Sequence, residues 1–184
     1  MSRLIMWNLV TLDGYFEGSA KWDLSFHDIV WGPELEQLGK EQLREAEALI
    51  FGRVTYEGMA GYWSTASEPG ETAQQMNRIP KIVFSRTLER ADWKNTRLIR
   101  GDAEEEVAKL KREGRGDYYV FGSANLSASL MKADLFDEYR LCVVPVVLGA
   151  GIPLFKPLAE QKKLRIRESR QLKTGGVILY CVPA

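Results

Sequence analysis

Two turns in this sequence have the same construction: an apolar strand pattern reaches a glycine, and a helix pattern begins at once. The first is residues 48–56 with Gly52 at the corner, and the second is residues 118–126 with Gly122 at the corner. Glycine allows the backbone to approach a ligand closely, and a helix start presents unpaired N–H groups and a positive dipole end to an anion. Each corner alone is also an ordinary turn of an α/β protein, and neither has the six-residue glycine fingerprint or the lysine-containing phosphate loop. Two of them in one chain suggest a ligand with several phosphates, such as a dinucleotide.

A third candidate lies where Ser85 and Arg86 end the strand predicted over 81–85. An arginine beside a hydroxyl could hold a phosphate, as the 2′-phosphate of NADP requires. The alternative is a solvated strand end with ordinary polar residues. The spacing alone does not choose between the two.

Asp13 is the candidate catalytic carboxylate. It precedes Gly14 at the carboxyl end of the first predicted strand, where ligands gather in open α/β sheets. Desolvated under a bound ring, it could hydrogen-bond a substrate N–H or assist protonation. Without further context the residues favour a turn aspartate bonded to its own backbone. Aromatic residues that could line a flat-ligand pocket, or equally fill the core, are Trp22, Phe26, Trp31, Tyr62 and Trp63.

The sequence lacks the residue patterns of a zinc site and of a serine nucleophile. The chain has one histidine, His27, and no paired cysteines, so a zinc site has no ligand set, and we expect no metal. There is no Gly-x-Ser-x-Gly nucleophile motif, so an enzymatic reaction would take place on a cofactor.

The overall charge and composition limit the classes of binding partner that we expect for this protein. Lys+Arg and Asp+Glu both number 25, which argues against nucleic acid or an anionic membrane as the main partner. No apolar run reaches the length of a membrane span, and residues 1–5 are typical of a first strand rather than a signal peptide. Cys142 and Cys181 lie in apolar strand patterns, which predicts buried reduced thiols and a cytoplasmic location.

The elements alternate between strands and helices and end in strands alone. This order predicts one α/β domain over residues 1–184, with a mostly parallel sheet and antiparallel strands at its end. The predicted strands are 3–10, 48–52, 81–85, 96–99, 118–121, 141–148, 162–168 and 176–182. The predicted helices begin at Pro33 or cover 54–61, 71–77, 103–113 and 123–133. Pro145 within the apolar run 141–148 implies a bulge, and residues 16–31 have no clear period and are predicted to be a loop.

Taken in order, several segments resemble the dihydrofolate reductase-like family, in the branch similar to the C-terminal reductase domain of bacterial riboflavin biosynthesis deaminase-reductases. The matching segments are 11–15, 49–56, 82–87, 120–126 and 144–155. The resemblance implies a three-layer fold with NADPH across the carboxyl ends of the strands. It also implies a likeness to a reductase whose deaminase partner is absent from this sequence.

The resemblance assigns expected roles residue by residue. The NADPH phosphates and ribose would contact Gly52, Arg53, Val54, Thr55, Gly122, Ser123, Ala124, Asn125 and Leu126. The adenosine 2′-phosphate would contact Ser85 and Arg86. The nicotinamide and substrate would face Asp13, Gly14, Trp22, Leu148 and Gly149, with Asp13 as the catalytic residue.

Two departures from the family pattern affect these expectations. Folate-reducing members carry a Gly-Gly pair where this chain has Gly122-Ser123, which puts the strained backbone there in question. Their carboxylate on the first helix has no clear counterpart, although Glu34 and Glu36 lie on the corresponding helix, so folate reduction is not implied. The sequence therefore predicts an NADPH-dependent reductase of a small planar heterocycle, pterin- or aminopyrimidine-like.

The sequence leaves an alternative function open and also suggests an oligomeric state. The alternative function is a non-catalytic nucleotide-binding or regulatory protein that retains the fold. By resemblance we also expect a homodimer, with an interface from the strand that begins at Leu141 and the C-terminal strands.

Overall fold

The computed structural model describes residues 2–65 and 70–184. The strands within these residues are β1 (Leu4–Thr11), β2 (Tyr15–Glu17), β3 (Ala46–Gly52), β4 (Lys81–Phe84), β5 (Thr96–Ile99), β6 (Asp117–Phe121), β7 (Glu138–Val144), β8 (Ile152–Pro153), β9 (Leu164–Gln171) and β10 (Val177–Pro183). The α-helices are α1 (Pro33–Glu45), α2 (Arg53–Trp63), α3 (Glu71–Arg78), α4 (Ala103–Glu113) and α5 (Ala124–Lys132). A short 3-10 helix covers Ser25–Ile29.

In the described part of the chain, eight strands form one sheet in the order β5-β4-β3-β6-β1-β7-β10-β9. Neighbours from β5 to β7 pair in parallel, whereas β10 is antiparallel to both β7 and β9. Strands β2 and β8 form a separate antiparallel pair. This mixed, mostly parallel sheet confirms the predicted fold class. Its carboxyl ends gather the turns that follow β1, β3, β4 and β6 at one edge.

The central strands are apolar on both faces because helices cover both. In β1, Leu4 and Met6 are fully buried in one core layer together with Leu130 of α5. Ile5 points to the opposite layer, where Met76 of α3 also packs. Successive strand side chains alternate between faces, so a nearly continuous apolar run is what a doubly covered strand requires.

Strand β7 differs from its prediction. It begins at Glu138 rather than Leu141, and it ends at Val144, before Pro145. Two charged residues are buried within it because Arg140 Nε donates to Glu138 Oε1 at 2.5 Å. Pro145 has no N–H for the ladder, so the chain leaves the sheet there instead of forming a bulge.

Two other elements also differ from the prediction. The last two strands are antiparallel as expected, but β9 covers 164–171 rather than 162–168 and is exposed along its whole length. The segment predicted as a loop over 16–31 contains part of β2 and the 3-10 helix. Strand β2 exists because it pairs with β8, a contact that local periodicity does not reveal.

Candidate functional site

A cleft of about 740 Å³ opens at the carboxyl ends of β1, β3, β4 and β6. Its walls come from β1, the segment 16–27, the starts of α2 and α5, and the segment 152–156. The predicted site residues that line it are Trp22, Gly52, Arg53, Val54, Thr55, Gly122, Ser123, Ala124, Asn125 and Leu126. Those that do not line it are Asp13, Gly14, Ser85, Arg86, Leu148 and Gly149.

The two glycine corners are hydrogen-bonded to each other. Gly52 N donates to Ser123 Oγ at 2.9 Å, and Ser123 N donates to Thr55 Oγ1 at 3.0 Å. Gly122 N donates to Asn8 Oδ1 at 2.9 Å. The amides of the corner residues are therefore occupied by side chains. An anion at these corners would therefore bind to the N–H groups of the residues that follow them.

The helix starts after the corners remain open to a ligand. No side chain caps α2 or α5 within the described residues. The first-turn N–H groups of a helix have no acceptor inside the helix, and the dipole adds a partial positive charge there. Residues 53–55 and 124–126 all line the cleft. This arrangement brings two anion-binding helix ends to one cavity.

The corner before α5 adopts the left-handed backbone that the Gly-to-Ser departure put in question. Gly122 has φ +57°, and Ser123 has φ +59° and ψ +49°. A left-handed residue other than glycine costs about 1–2 kcal/mol. The hydroxyl of Ser123 offsets part of this cost because it accepts the Gly52 N–H and donates to the Phe121 carbonyl at 3.2 Å. The serine thus holds the two corners together.

Ser85 and Arg86 lie just beyond the cleft, after the cleft-lining residue Phe84. Ser85 Oγ accepts the N–H groups of Thr87 and Leu88 at 3.2 and 3.0 Å, so this hydroxyl shapes the turn. The guanidinium of Arg86 is exposed and has no partner among the described residues. Arg86 is therefore an available cation at the edge of the site.

Asp13, Leu148 and Gly149 lie together, outside the set of residues that line the cleft. Asp13 Oδ1 accepts from Thr11 Oγ1 at 2.6 Å and from Leu148 N at 3.2 Å, and Oδ2 accepts from Gly149 N at 2.8 Å. The hydrogen bond from Thr11, with those from the two amides, lowers the pKa of the Asp13 carboxyl. The group is exposed and ionised at neutral pH, and it lies outside the cleft. In this position Asp13 fixes the loop at Leu148 and Gly149, and the catalytic role expected for it stays a prediction.

Glu17 is the carboxylate that sequence reasoning missed. It is 8% exposed, lines the cleft, and accepts the N–H of Trp22 at Oε1, 2.7 Å away. The two acids considered on the first helix are used elsewhere: Glu34 Oε2 accepts from Lys173 N at 2.7 Å, and Glu36 Oε1 pairs with Lys40 Nζ at 2.8 Å. The available signal was an acid between Phe16 and Gly18 in a segment of irregular aromatic spacing.

Trp22 forms one wall of the cleft, as predicted. Its backbone is left-handed with φ +63°, and its hydrogen bond to Glu17 holds it there. The indole lies directly on α2 at Gly58, where an added Cβ would stand 1.8 Å from Trp22 Cζ2. The missing side chain at Gly58 is what allows this contact.

Two buried polar atoms of cleft-lining residues have no partner among the described residues. They are Asn8 Nδ2 and His27 Nε2. Burial lowers the pKa of His27 to about 4, so its imidazole is neutral at pH 7. Unpaired buried polar atoms are costly, and such atoms at a cleft are candidates for hydrogen bonds to a ligand.

A second hollow of about 720 Å³ lies at the opposite edge of the sheet, around Lys81 and Trp93. The Nζ of Lys81 is buried and already donates to the carbonyl oxygens of Met76 and Ile79, each at 2.8 Å. Burial lowers the pKa of Lys81 to about 8. Because this ammonium closes the end of α3, it is not free to bind a ligand in the hollow.

Two further observations, on metal ligands and on membrane-spanning helices, concern residues 2–65 and 70–184. No group of three or more His, Cys, Asp or Glu side chains in these ranges is placed to hold a metal ion. In the same ranges, no helix is both long and apolar enough to cross a membrane.

Comparison with known proteins gives consistent matches. The family described as the RibD C-terminal domain matches residues 3–178. The uncharacterized protein YyaP of Bacillus subtilis (strain 168) is 30% identical over 186 residues, which cover 97% of this chain and 94% of YyaP. A Shewanella sp. PV-4 structure assigned to riboflavin biosynthesis has a TM-score of 0.81 at 21% identity and covers 99% of both chains. The Thermotoga maritima diaminohydroxyphosphoribosylaminopyrimidine deaminase/5-amino-6-(5-phosphoribosylamino)uracil reductase has a TM-score of 0.69 at 13% identity, over all of this chain and 57% of that one.

Proposed function

Because the chain belongs to the RibD C-terminal domain family, we propose that it is a reductase that uses NADPH to reduce a small planar heterocycle, pterin-like or aminopyrimidine-like. The observation that carries the proposal is the pair of uncapped helix starts, joined through Ser123 and opening on one cleft. Two such ends match the two phosphates of a dinucleotide bridge. The heterocyclic substrate class is carried over from the uracil reductase among the similar structures.

The residues present fit this cofactor. The first turns of α2 and α5 would hold the pyrophosphate, and Arg53 stands at the first position of α2. Arg86 has an unpaired guanidinium that could bind the 2′-phosphate by charge-assisted hydrogen bonds. NADPH supplies a hydride when bound, and the protein's contribution is to position the reacting groups.

At the other end of the cleft the residues suit a flat polar ring. Trp22 offers an aromatic wall that keeps water from one side, and the backbone there is fixed by Glu17. His27 is neutral at pH 7 and is able to donate or accept one hydrogen bond. These groups bind and orient a ring. Orientation of this kind supplies a large part of the rate in reactions between two bound molecules.

The location of two thiols bears on where the protein functions. Cys142 and Cys181 are free and buried, and burial raises the pKa of the Cys142 thiol to about 11. Inert reduced thiols suit a reducing compartment, so a cytoplasmic location is part of the proposal.

The test is a titration with NADPH and NADH followed by fluorescence. We expect micromolar NADPH binding, and we expect Arg86→Ala to weaken it roughly tenfold or more while NADH binding stays nearly unchanged, since one charge-assisted contact is lost. Arg90→Ala is the matched control, because Arg90 lies in the same loop and is paired with Asp92 at 2.7 Å.

The outcomes separate the candidate functions. Absence of NADPH binding would overturn the proposal, and equal losses for NADPH and NADH would remove the 2′-phosphate role of Arg86. Consumption of NADPH is then followed with a panel of oxidised pterins, aminopyrimidines and flavins. Binding without any consumption favours a non-catalytic nucleotide-binding protein, a reading that the position of Asp13 outside the cleft also supports.

A further inference from the structure

We propose that Glu17 determines which substrates this cleft accepts: one carboxylate oxygen holds Trp22, and the other accepts N–H groups of the substrate. The substrate class is then a flat ring with amino or amidine-type N–H donors, rather than a ring with carbonyl oxygens in place of the amino groups. This inference rests on the proposed function, because it concerns the substrate end of the same cleft.

The first argument is that one oxygen of the Glu17 carboxylate is held by the protein while the other is open to the cleft. Glu17 is 8% exposed, yet its carboxylate accepts a single hydrogen bond within the described residues, at Oε1 from Trp22. No lysine or arginine of the described residues forms an ion pair with it. Oε2 accepts no hydrogen bond within the described residues, and it is not among their fully buried polar atoms without a partner, so it is open to the cleft. Oε2 is therefore a charged acceptor that a ligand with N–H donors would complete.

The second argument is the distribution of charge along the cleft. Among the described lining residues, Glu17 is the one carboxylate, and the cations are Arg53, which lies at the helix-start end, and Lys156, which follows β8. His27 adds no charge at pH 7 because burial keeps it neutral. The helix starts, with Arg53 beside them and paired with Glu57 at 3.1 Å, present positive charge where phosphates would bind. Lys156 forms no ion pair with Glu17 within the described residues, so Glu17 remains a negative acceptor beside the wall formed by Trp22. A neutral or cationic N–H donor matches this end, and an anionic group does not.

The third argument is that the acceptor and the aromatic wall are fixed to each other. Glu17 bonds to the backbone of Trp22, and the indole of Trp22 rests on α2 at Gly58. Strand β2, which carries Glu17, is in turn paired with Ile152 of β8. A ring stacked along the indole would meet an acceptor whose position is set in advance. Pre-organised acceptors of this kind discriminate strongly against molecules that leave them unpaired.

The experiment compares two rings of the same size by calorimetric titration at pH 7, with and without saturating NADPH. The probes are 2,4-diaminopyrimidine, which carries two exocyclic amino groups, and uracil, which carries carbonyl oxygens in place of these groups and keeps only its two ring N–H groups. We expect the wild-type protein to bind 2,4-diaminopyrimidine at least tenfold more tightly than uracil. Glu17→Gln should reduce affinity for 2,4-diaminopyrimidine roughly tenfold to hundredfold, since hydrogen bonds to a charged group are lost.

The choice of variant separates recognition from support of the fold. The glutamine side-chain oxygen can still accept the Trp22 N–H, so NADPH affinity and the melting temperature should stay close to wild type. Glu41→Gln is the matched control, because Glu41 is exposed on α1, does not line the cleft, and bonds to Gln37 at 2.8 Å.

Failure of the Glu17 assignment and failure of the proposed function give different results in these titrations. Unchanged binding of 2,4-diaminopyrimidine by Glu17→Gln, or an equal loss for both rings and for NADPH, would overturn the assignment. If Glu17→Gln does not fold, the wild-type ratio between the two rings decides, and a preference for uracil overturns it. If NADPH does not bind at all, the proposed function fails, while the titrations without NADPH still test Glu17.

Discussion

At the scale of single residues, two acids four positions apart have roles that their sequence context does not reveal. Asp13 looked like the residue at a ligand-binding strand end, but backbone amides of the 148–149 loop occupy both of its oxygens. Glu17 lay in a segment without a period, but it is the buried acid at the cleft. The difference arises from the pairing of β2 with β8, which turns Glu17 inward. Desolvation of a side chain is a tertiary property, so neither assignment follows from local sequence.

The first prediction concerns the acid limb of stability. Interactions in the folded state lower the pKa of Asp13 below its ordinary value of 3.8. A lowered pKa in the folded state contributes stability that is present above the ordinary value and is lost as pH falls through the folded-state pKa. Asp13→Asn should therefore lower the melting temperature at pH 6. The difference from wild type should shrink as the pH falls through the folded-state pKa of Asp13, and it should vanish below that pKa. NADPH binding should be unchanged.

Thermal melts between pH 2 and pH 7 measure this effect. Asp92→Asn serves as the control because Asp92 is an exposed aspartate paired with an exposed arginine, and such pairs contribute little. A loss of turnover in Asp13→Asn with an unaltered melting profile would contradict this stabilising role and support the predicted catalytic role of Asp13.

At the scale of elements, the starts of the helices after the glycine corners and the central strands could be predicted from the sequence. The pairing of the short strands β2 and β8 could not. The corners at Gly52 and Gly122 each end a buried parallel strand, which is why apolar runs and glycine located them. The start of β7 was predicted wrongly because the strand buries two charged residues that pair with each other. In a sequence, such charged residues are typical of an exposed segment. Strands β2 and β8 have three and two residues, too few for any period to appear.

The second prediction uses two glycines of α2 as a matched pair. An alanine at Gly61 would meet nothing within 4 Å, so Gly61→Ala should stabilise the protein by about 0.5–1 kcal/mol through helix propensity. An alanine at Gly58 would overlap the indole of Trp22, so Gly58→Ala should instead lose roughly 1–3 kcal/mol and displace that ring.

Urea unfolding gives the free-energy changes, and tryptophan emission reports the displacement of Trp22. Equal stabilisation by both substitutions would mean that the indole does not rest on α2 in solution. In that case the aromatic wall of the cleft would need another explanation.

At the scale of the whole molecule, the described sheet ends at β5 on one side and at β9 on the other, and β9 is the end strand that is exposed along its whole length. The interface was expected to combine the strand from Leu141 with the C-terminal strands. Strand β7 lies inside the sheet between β1 and β10 and is almost entirely buried, so it cannot present an edge to a partner. Strand β9 ends the sheet and is exposed at all eight positions. An unpaired edge strand is a template for pairing with another chain, so the dimer expectation now rests on β9.

The third prediction is that β9 joins two copies of the chain. The apolar residues exposed on it are Leu164 and Ile166, at 38% and 59%. Burial of these side chains against their counterparts would supply the apolar contact that strand pairing needs. Light scattering of the purified protein should then give twice the chain mass of 20.9 kDa.

Ile166→Lys should shift this mass to that of one chain, because a buried lysine without a partner would oppose association. Tyr62→Lys is the control, since Tyr62 is 68% exposed on α2, away from β9. A wild-type mass of one chain, or a dimer that withstands Ile166→Lys, would show that β9 is not the interface. The NADPH affinity of the monomeric variant then tells whether the cleft depends on the partner. We expect no dependence, because the described walls of the cleft come from elements at the carboxyl edge and not from β9.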